Sequence, residues 1–362
     1  MYMRSRRAET KAGAFSAKKM ARLTGVALIP ALAIAIGAGT SAYAAQPGEE
    51  SGWHQQFAGG SAVAHRGMDE ARDAQGNIVQ VWRGATNNNV YISMNNSAPW
   101  AWTTNNGTAL AQTYAPPQVV WTDYGFRIYH TGTDGHIYYA GIGQDAYGHI
   151  TALGNWLQVP NNVVTPNDRP PAVAALPGGE SVYLAYRGSN SAQIYGVYFN
   201  GQGDNRYPGG WHTPVALGSA TSNWAPALDF NGSWNRLVMT WTGEDHHIYA
   251  SSQIYGSSNW GPPVQIGSLQ SNASPTMALT DNGAGQIGIV PYANGYSGGT
   301  TELASIYRDS TLPSGIRTQA WTGETSGINW GDITLSADDN DIYMNAAQEF
   351  NHLDYWKHTG SY

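Results

Sequence analysis

One stretch of the sequence, Gly132-Thr-Asp-Gly-His-Ile-Tyr138, recurs as Gly243-Glu-Asp-His-His-Ile-Tyr249. Each copy follows a short apolar run, turns through polar residues and then enters a second apolar run. This pattern predicts a β-strand, a tight turn and a second antiparallel strand. Similar strand endings occur at Val79-Gln-Val-Trp-Arg-Gly84, Leu184-Ala-Tyr-Arg-Gly188 and Val238-Met-Thr-Trp-Thr-Gly243. The hairpin is therefore a repeated unit.

Each predicted hairpin lies between two further short strands. The preceding strand is apolar and usually follows proline, as in Pro170-Pro-Ala-Val-Ala-Ala-Leu176 and Ser274-Pro-Thr-Met-Ala-Leu279. In the first unit we expect this strand at Ala62-Val63-Ala64. The following strand usually opens with tryptophan, as at Trp156 and Trp211. Four antiparallel strands that repeat along a chain are typical of the blades of a β-propeller.

The number of blades follows from the apolar residue that begins each third strand. It occurs six times, with spacings of 47 to 57 residues, at Val90, Ile137, Ile194, Ile248, Leu303 and Leu353. We therefore predict an all-β, six-bladed propeller with four antiparallel strands in each blade. The last unit has only three strands, and Ser51-Gly-Trp-His-Gln-Gln-Phe57 matches the fourth-strand pattern. We expect this N-terminal strand to close the last blade, which would remove the open sheet edges.

The blade pattern resembles the repeats of secreted microbial propeller lectins, including the Photorhabdus-type and Aleuria-type families. It consists of an apolar residue, an aromatic residue, Arg or Thr, Gly, a polar turn and Ile-Tyr, followed by a Trp-led strand. The resemblance covers the whole mature chain and implies a carbohydrate-binding propeller. In the Aleuria-type family an Arg, a Glu and an aromatic residue recur in each repeat and bind fucose between blades. Here the third strands Ile137-Tyr-Tyr-Ala140 and Ile194-Tyr-Gly-Val197 lack a recurrent Arg and Glu, so fucose specificity is not carried over.

The first 44 residues have the pattern of a secretory signal peptide. Seven basic side chains precede or border a nearly uninterrupted apolar run over residues 23–39, and Ala42-Tyr43-Ala44 has the small-x-small pattern of a cleavage site. No basic stop-transfer segment follows, which favours a cleaved leader over a membrane anchor. We expect secretion. Ser5-Arg6-Arg7 is similar to part of a twin-arginine signal but lies far ahead of the apolar run, so the sequence leaves both the general and the twin-arginine route open.

The rest of the chain is long enough to fold around its own core. Its many glycine, tryptophan and tyrosine residues, 44, 14 and 22 in the whole chain, suit short strands and tight turns. The absence of cysteine means that neither disulfides nor thiol catalysis contribute. We expect residues 45–50 to form a short linker and residues 51–362 to form the propeller. The expected blades span about 62–113, 114–168, 169–222, 223–273, 274–328, and 329–362 together with 51–61.

The mature chain is strongly acidic. The whole chain has 18 basic and 25 acidic residues, and removal of seven basic residues and Glu9 with the leader leaves 11 and 24, a net charge of −13. Such a surface repels phosphate groups, so nucleic acid and anionic lipid are not expected partners. We expect glycans or polysaccharides as partners and no membrane association after signal cleavage, with a protein partner as an open alternative.

Two groups of aromatic residues are candidates for stacking on sugar rings. The first group ends the second strands and would lie on one face of the ring, with packing between blades as the alternative role. The second group lies near the blade connections, beside Asn-rich stretches such as 87–89 and 161–162, where amides could bind hydroxyl groups or merely form turns. The first group comprises Trp82, His130, Tyr186, Trp241 and Tyr292, and the second comprises Trp100, Trp102, Trp224 and Trp330.

Arg83 and Arg187 follow the second-strand aromatic residue in two blades, where Thr131 and Thr242 stand in two others. In an acidic chain these arginines could bind a ligand carboxylate. Alternatively, they could pair with turn carboxylates or stack on neighbouring rings.

An enzymatic function remains an alternative, since propellers host many activities. Phe126-Arg-Ile-Tyr129 is similar to the Phe-Arg-Ile-Pro element of sialidases, but the proline and the sialidase Asp box are missing. A glycosidase needs two nearby carboxylates. Candidates are Asp134, Glu244, Asp245 and Glu349 in predicted turns, and Asp69 and Glu70 within the unrepeated segment that begins at His65.

We predict neither a metal ion nor a cofactor. The acidic cluster Asp338-Asp-Asn-Asp341 lacks the glycine and distal glutamate of an EF-hand loop. The leading hypothesis is a secreted, non-catalytic, lectin-like propeller. An extracellular glycoside hydrolase or lyase and a protein-binding or inhibitory module are the alternatives.

Overall fold

The computed structural model describes residues 53–63, 68–84, 86–95, 98–104, 107, 109–145, 149–201, 210–280, 284–289, 302–319, 322–323, 333–337, 342–347 and 352–358. The chain divides into two units, residues 1–42 and 43–362, and every described residue belongs to the second. The described residues form 26 strands, and they include no helix with the length and hydropathy needed to cross a bilayer. The predicted leader, the linker at 45–50, His65, Tyr292, Trp330, Glu349 and the cluster at 338–341 lie outside these ranges.

Six antiparallel sheets are formed, five of them from strands consecutive in the chain and the sixth from the last three strands and β1. Blade one contains β2 (Asp69–Arg72), β3 (Ile78–Arg83), β4 (Val90–Met94) and β5 (Trp100–Ala101). Blade two contains β6 (Gln118–Thr122), β7 (Gly125–Thr131), β8 (Ile137–Gln144) and β10 (Leu157–Gln158), with β9 (Ile150–Leu153) also paired to β8. Blade three contains β11 (Ala172–Ala175), β12 (Val182–Arg187), β13 (Gln193–Phe199) and β14 (Val215–Thr221).

The second half of the ring repeats this order. Blade four contains β15 (Ala227–Asn231), β16 (Arg236–Thr242), β17 (His247–Ile254) and β18 (Val264–Gln270). Blade five contains β19 (Thr276–Leu279), β20 (Ala284–Ile289), β21 (Glu302–Arg308) and β22 (Ile316–Thr318), with β23 (Thr322–Gly323) also paired to β21. Blade six contains β24 (Ile333–Ala337), β25 (Ile342–Ala347), β26 (His352–His358) and, as its fourth strand, β1 (Trp53–Val63).

The N-terminal strand closes the last blade, as the sequence predicts. Trp53 pairs with His358 and Val63 pairs with His352, so β1 runs antiparallel along the whole of β26. Because β1 extends to Val63, the expectation that Ala62-Val63-Ala64 begins blade one is wrong. The innermost strand of blade one is instead the polar segment Asp69–Arg72.

The innermost strands surround a central channel. Each lies against the innermost strand of the next blade, and β24 lies against β2, which completes the ring. The channel is about 490 Å³ in volume and is lined by residues from all six innermost strands. The polar side chains of β2 are tolerated because they have partners: Asp69 accepts a hydrogen bond from Val119 N, and Glu70 contacts Arg72. Their polarity explains why a search for apolar strands misses β2.

Two faces of the ring follow from the antiparallel order. One side of the ring carries the turns between second and third strands, such as 132–136 and 243–247, and the linkers between blades, such as 222–226. We call this side the linker face. The opposite face carries the turns between first and second strands and between third and fourth strands, such as 123–124 and 309–315. Residues at equivalent positions of different blades therefore lie on the same face of the ring.

Apolar side chains fill the spaces between neighbouring blades. Ile92 and Ile128 are fully buried in one cluster between blades one and two, and Ile248 and Ile306 are fully buried between blades four and five. Further clusters lie between blades two and three and between blades three and four. The alternation of buried and half-buried residues along strands such as β3 produces these shared cores.

Candidate functional site

Residues that end the second strands are packed against third-strand tyrosines. Trp82 stacks on Tyr91, and Trp241 stacks on Tyr249, with ring centroids 6.0 and 5.8 Å apart. Trp82 and Trp241 are only 3% exposed and Tyr186 is 5% exposed, so their faces are not available to a sugar. The structure therefore gives the described members of this group the packing role. The other two pairs are His130 with Tyr138 and Tyr186 with Tyr195.

The same stacks explain the repeated hairpin sequence. A Cβ atom on Gly243 would lie 2.8 Å from the Tyr249 ring, and one on Gly132 would lie 2.7 Å from the Tyr138 ring. The Tyr249 hydroxyl donates a hydrogen bond to Asp245 at 2.7 Å. Glycine, aspartate and tyrosine thus recur because the ring lies directly on the glycine backbone while its hydroxyl fixes the turn.

Arg83 and Arg187 hold the linkers between blades. Arg83 donates from Nη1 to the carbonyl oxygen of Tyr114 at 2.5 Å, and Arg187 donates from Nε to that of Ser222 at 3.1 Å. Where threonine replaces arginine the contact is equivalent, since the hydroxyl of Thr131 donates to Arg169 O and that of Thr242 to Ala273 O. These four bonds are a repeated structural device and give the arginines a positioning role at the blade boundaries.

The second aromatic group divides into buried and accessible members. Trp102 is 1% exposed, packs on Trp156 with centroids 4.6 Å apart and donates from Nε1 to Gly154 O at 3.2 Å, so it belongs to the core between blades one and two. Trp100 is 44% exposed on β5, at the outer edge of blade one. Asn161 and Asn162 have φ values of 66° and 54°, which supports a turn-forming role for these amides.

Trp224 is the accessible aromatic residue of the linker face between blades three and four. Its side chain is half-buried and tilted against His246, with ring centroids 5.4 Å apart. The Ser222 hydroxyl fixes the linker, because it accepts a hydrogen bond from Trp224 N and donates to Trp224 O, both at 2.9 Å. The indole is therefore presented by a rigid backbone and keeps part of its surface exposed.

Polar residues contact the linker that carries Trp224. Arg169 donates from Nε to Asn223 O at 3.2 Å and is paired with Asp168, whose Oδ2 lies 3.2 Å from Nη1. Asn223 and Glu244 are exposed beside the ring pair. We call Trp224, His246, Asn223, Arg169 and Asp168 the Trp224 site. Asp168 and Arg169 also line the central channel, so the site lies at the channel mouth.

Carboxylates of the channel connect successive blades. Asp69 Oδ2 accepts a hydrogen bond from Val119 N at 2.7 Å, and Asp229 Oδ2 accepts one from Leu279 N at 2.8 Å. Packing around the carboxyl, followed by the charges of Glu70 and Asp229, raises the pKa of Asp69 to about 7, against the lowering effect of its backbone hydrogen bonds. Repetition of the bond in blades one and four indicates a structural role.

The other described carboxylate and arginine candidates have separate partners in different blades. Glu70 contacts Arg72 at 3.0 Å, whereas Asp134 and Asp245 bind tyrosine hydroxyls in separate blades. Arg127, of the sialidase-like element, is paired with Glu180 of blade three, while Arg187 lies on the linker face. In the described part of the chain, no three His, Cys, Asp or Glu side chains are arranged to hold a metal ion.

Comparison with solved structures shows the same fold in lectins. A variant of the Aleuria aurantia lectin in complex with Fucα1-6GlcNAc matches with a TM-score of 0.55 and 13% identity, over 82% of this chain and 93% of that chain. AofleA from Arthrobotrys oligospora matches with a TM-score of 0.55 and 11% identity, over 84% and 85%. The BP39L lectin from Burkholderia pseudomallei matches with a TM-score of 0.51 and 11% identity, over 84% and 96%.

These likenesses establish the class of fold. The Aleuria lectin is itself described as a six-bladed β-propeller, which agrees with the six sheets of this chain. No protein-family model matches the sequence, and no curated protein is significantly similar to it. The chain is a six-bladed β-propeller with lectin propellers among its structural neighbours.

Proposed function

We propose that this protein is a secreted, non-catalytic, carbohydrate-binding propeller and that the Trp224 site binds the sugar. The observation that carries the proposal is the partly exposed indole of Trp224 on a linker that is fixed by Ser222 and by the hydrogen bond from Arg169 to Asn223 O, with Asp168 paired to Arg169. An aromatic face binds the C–H groups of a pyranose, while amide, guanidinium and carboxylate groups bind its hydroxyls. The lectins among the structural neighbours support this class of function.

The asymmetry of the site suggests how many sugars bind. The linker position that corresponds to Trp224, two residues after the linker hydroxyl, is the buried Ala115 in blade two. The Trp224 site is therefore not repeated at that boundary. We propose one principal site at the boundary of blades three and four, with the exposed Trp100 as a secondary contact on blade one.

The test is a glycan array probed with the mature chain, run together with an assay for released reducing sugar on every glycan that binds. Binding without release of sugar is the expected result. Release of sugar would contradict a non-catalytic function, and silence in both assays would favour the protein-binding alternative. Export is tested by sequencing the N-terminus of protein recovered from the medium, which should begin at residue 45; retention in cells with Met1 intact would contradict secretion.

A glycoside hydrolase is the second candidate, and one observation favours it. Asp69 has a pKa raised to about 7 and faces a channel of about 490 Å³, and such a group can act as a general acid near neutral pH. The bond of Asp69 to Val119 N matches the bond of Asp229 to Leu279 N. A structural role in joining blades therefore also accounts for a carboxyl at this position. If the protein releases sugar, Asp69→Asn should abolish the release.

A further inference from the structure

The boundary of blades four and five holds two arginines on the opposite face. Arg236 begins β16 and Arg308 ends β21. Arg236 donates from Nη1 to the Ser252 hydroxyl at 2.9 Å, and this hydroxyl donates to Ser314 O at 2.6 Å. The guanidinium is thus fixed by a hydrogen-bonded chain that crosses from blade four to the turn 309–315 of blade five.

The lack of a side chain at Gly315 leaves room for the Arg236 guanidinium. Gly315 has a φ of +71°, and a Cβ atom there would overlap Cζ and both terminal nitrogens of Arg236. The guanidinium therefore lies directly on the backbone of the turn, half-buried. The exposed Arg308 pairs with Ile316, the residue after Gly315, in the strand register of blade five. A planar cation held in this way is preorganised for an anion, because little side-chain freedom remains to be lost on binding.

The two positive charges are close to each other and are not neutralised by an ion pair in the described part of the chain. Burial and then the charge of Arg308 lower the pKa of Arg236. Among the described residues, Arg236 and Arg308 take part in none of the arginine ion pairs, which join Arg72 to Glu70, Arg127 to Glu180 and Arg169 to Asp168. The neighbouring carboxylate, Asp309, accepts hydrogen bonds from the backbone and hydroxyl of Thr311 at 2.9 and 2.6 Å.

We propose that Arg236 and Arg308 form a binding site for the carboxylate or sulfate group of an acidic sugar. Guanidinium groups bind such oxyanions through paired N–H donors, and an anion would relieve the repulsion between the two like charges. The site is on the face opposite the Trp224 site and uses different residues. That the anion belongs to a sugar rests on the proposed function, whereas the anion site itself does not.

The test is titration of the mature protein with methyl β-glucuronide, with glucose 6-sulfate and with neutral methyl β-glucoside, followed by NMR at low and high salt. We expect the two anions, but not the neutral sugar, to perturb signals of the turn 309–315, with affinity that falls as salt rises. Binding of only one anion would identify the preferred group. Equal effects of the neutral sugar, or no effect of either anion, would overturn the site.

Variants make the assignment specific. Arg308→Gln, at an exposed residue, should weaken anion binding about tenfold or more without altering the fold, and Arg236→Gln should do the same. Tyr124→Ala, 66% exposed on the same face in blade two, is the matched control. Unchanged anion affinity in Arg308→Gln would overturn the proposal. Anion binding that depends on Arg308 in a protein silent on the neutral glycans of the array would uphold this site and reject the Trp224 site.

Discussion

The Asp69 carboxylate accepts a hydrogen bond from the backbone N–H of Val119 at 2.7 Å, which joins the innermost strands of blades one and two. Equivalent bonds link Asp229 to Leu279 and the Thr276 hydroxyl to Leu335 N. Side chains of the channel wall therefore tie successive blades together. The ring is stabilised from its centre as well as by the apolar contacts between blades.

The first prediction concerns pH. The pKa of Asp69 is about 7 in the fold and 3.8 as its ordinary value, so folding favours the protonated carboxyl. The stabilisation that comes from the protonated Asp69 carboxyl is complete below about pH 3.8 and is lost as the pH rises through about 7, with a total of ~2–4 kcal/mol. In Asp69→Asn this dependence should disappear, so thermal unfolding should favour the variant over the wild type increasingly from pH 4 to pH 8. A constant difference in melting temperature would contradict the assignment, and Glu244→Gln, in an exposed turn, is the control.

The second prediction tests the contact between glycine and tyrosine. Gly243→Ala should lower the free energy of unfolding by ~1–3 kcal/mol, because the new Cβ atom would overlap Asp245 Oδ1 and the Tyr249 ring. Gly232→Ala is the matched control, since a Cβ atom there meets no atom within 4 Å. Chemical denaturation measures both. If Tyr249→Leu does not reduce the cost of Gly243→Ala, the ring is not its cause.

The third prediction concerns the bonds that hold the linkers. Thr242→Val keeps the side-chain volume but removes the donor to Ala273 O, a bond of 2.6 Å. The loss should be ~1–3 kcal/mol, because a carbonyl would be left without its partner. Thr133→Val, in an exposed turn of the same face, should be neutral to denaturation. Equal stability of the two variants would show that the hydroxyl of Thr242 does not hold the linker.

The fourth prediction concerns ring closure. A chain that starts at residue 64 lacks β1 and exposes the edge of β26. We expect its melting temperature to fall by roughly 6–12 °C or more, which corresponds to ~3 kcal/mol, relative to a chain that starts at residue 45. Addition of a peptide covering residues 51–63 should restore part of the loss. Calorimetry that shows the same melting temperature for both chains would contradict closure by β1.

The fold could be predicted from the sequence because its signals are local. Alternation of apolar residues and turn glycines recur along the chain, the Ile-Tyr pair lies at the start of the third strand of blades two, three and four, and Trp53 matches the fourth-strand pattern that β1 adopts. The innermost strand of blade one could not be found in this way, since its residues, including Asp69 and Glu70, are polar.

The candidate sites were harder to predict for a physical reason. Residues that recur in each blade, such as Trp82 and Trp241, recur because every blade must pack in the same way. Trp224 departs from the repeat and is accessible. Departure from the repeated pattern therefore indicates a candidate binding residue better than recurrence does. Arg236 of blade four meets Gly315 of blade five, beside the pair of Arg308 with Ile316, and no spacing in the sequence indicates this arrangement.

The fifth and most direct measurement is the affinity of the best array glycan for the wild type, Trp224→Ala and Tyr124→Ala, by calorimetric titration with the fold of each variant checked by circular dichroism. Loss of the indole face should weaken binding by about tenfold or more in Trp224→Ala, and the exposed Tyr124 should not matter. Wild-type affinity in a folded Trp224→Ala variant would contradict carbohydrate binding at the Trp224 site.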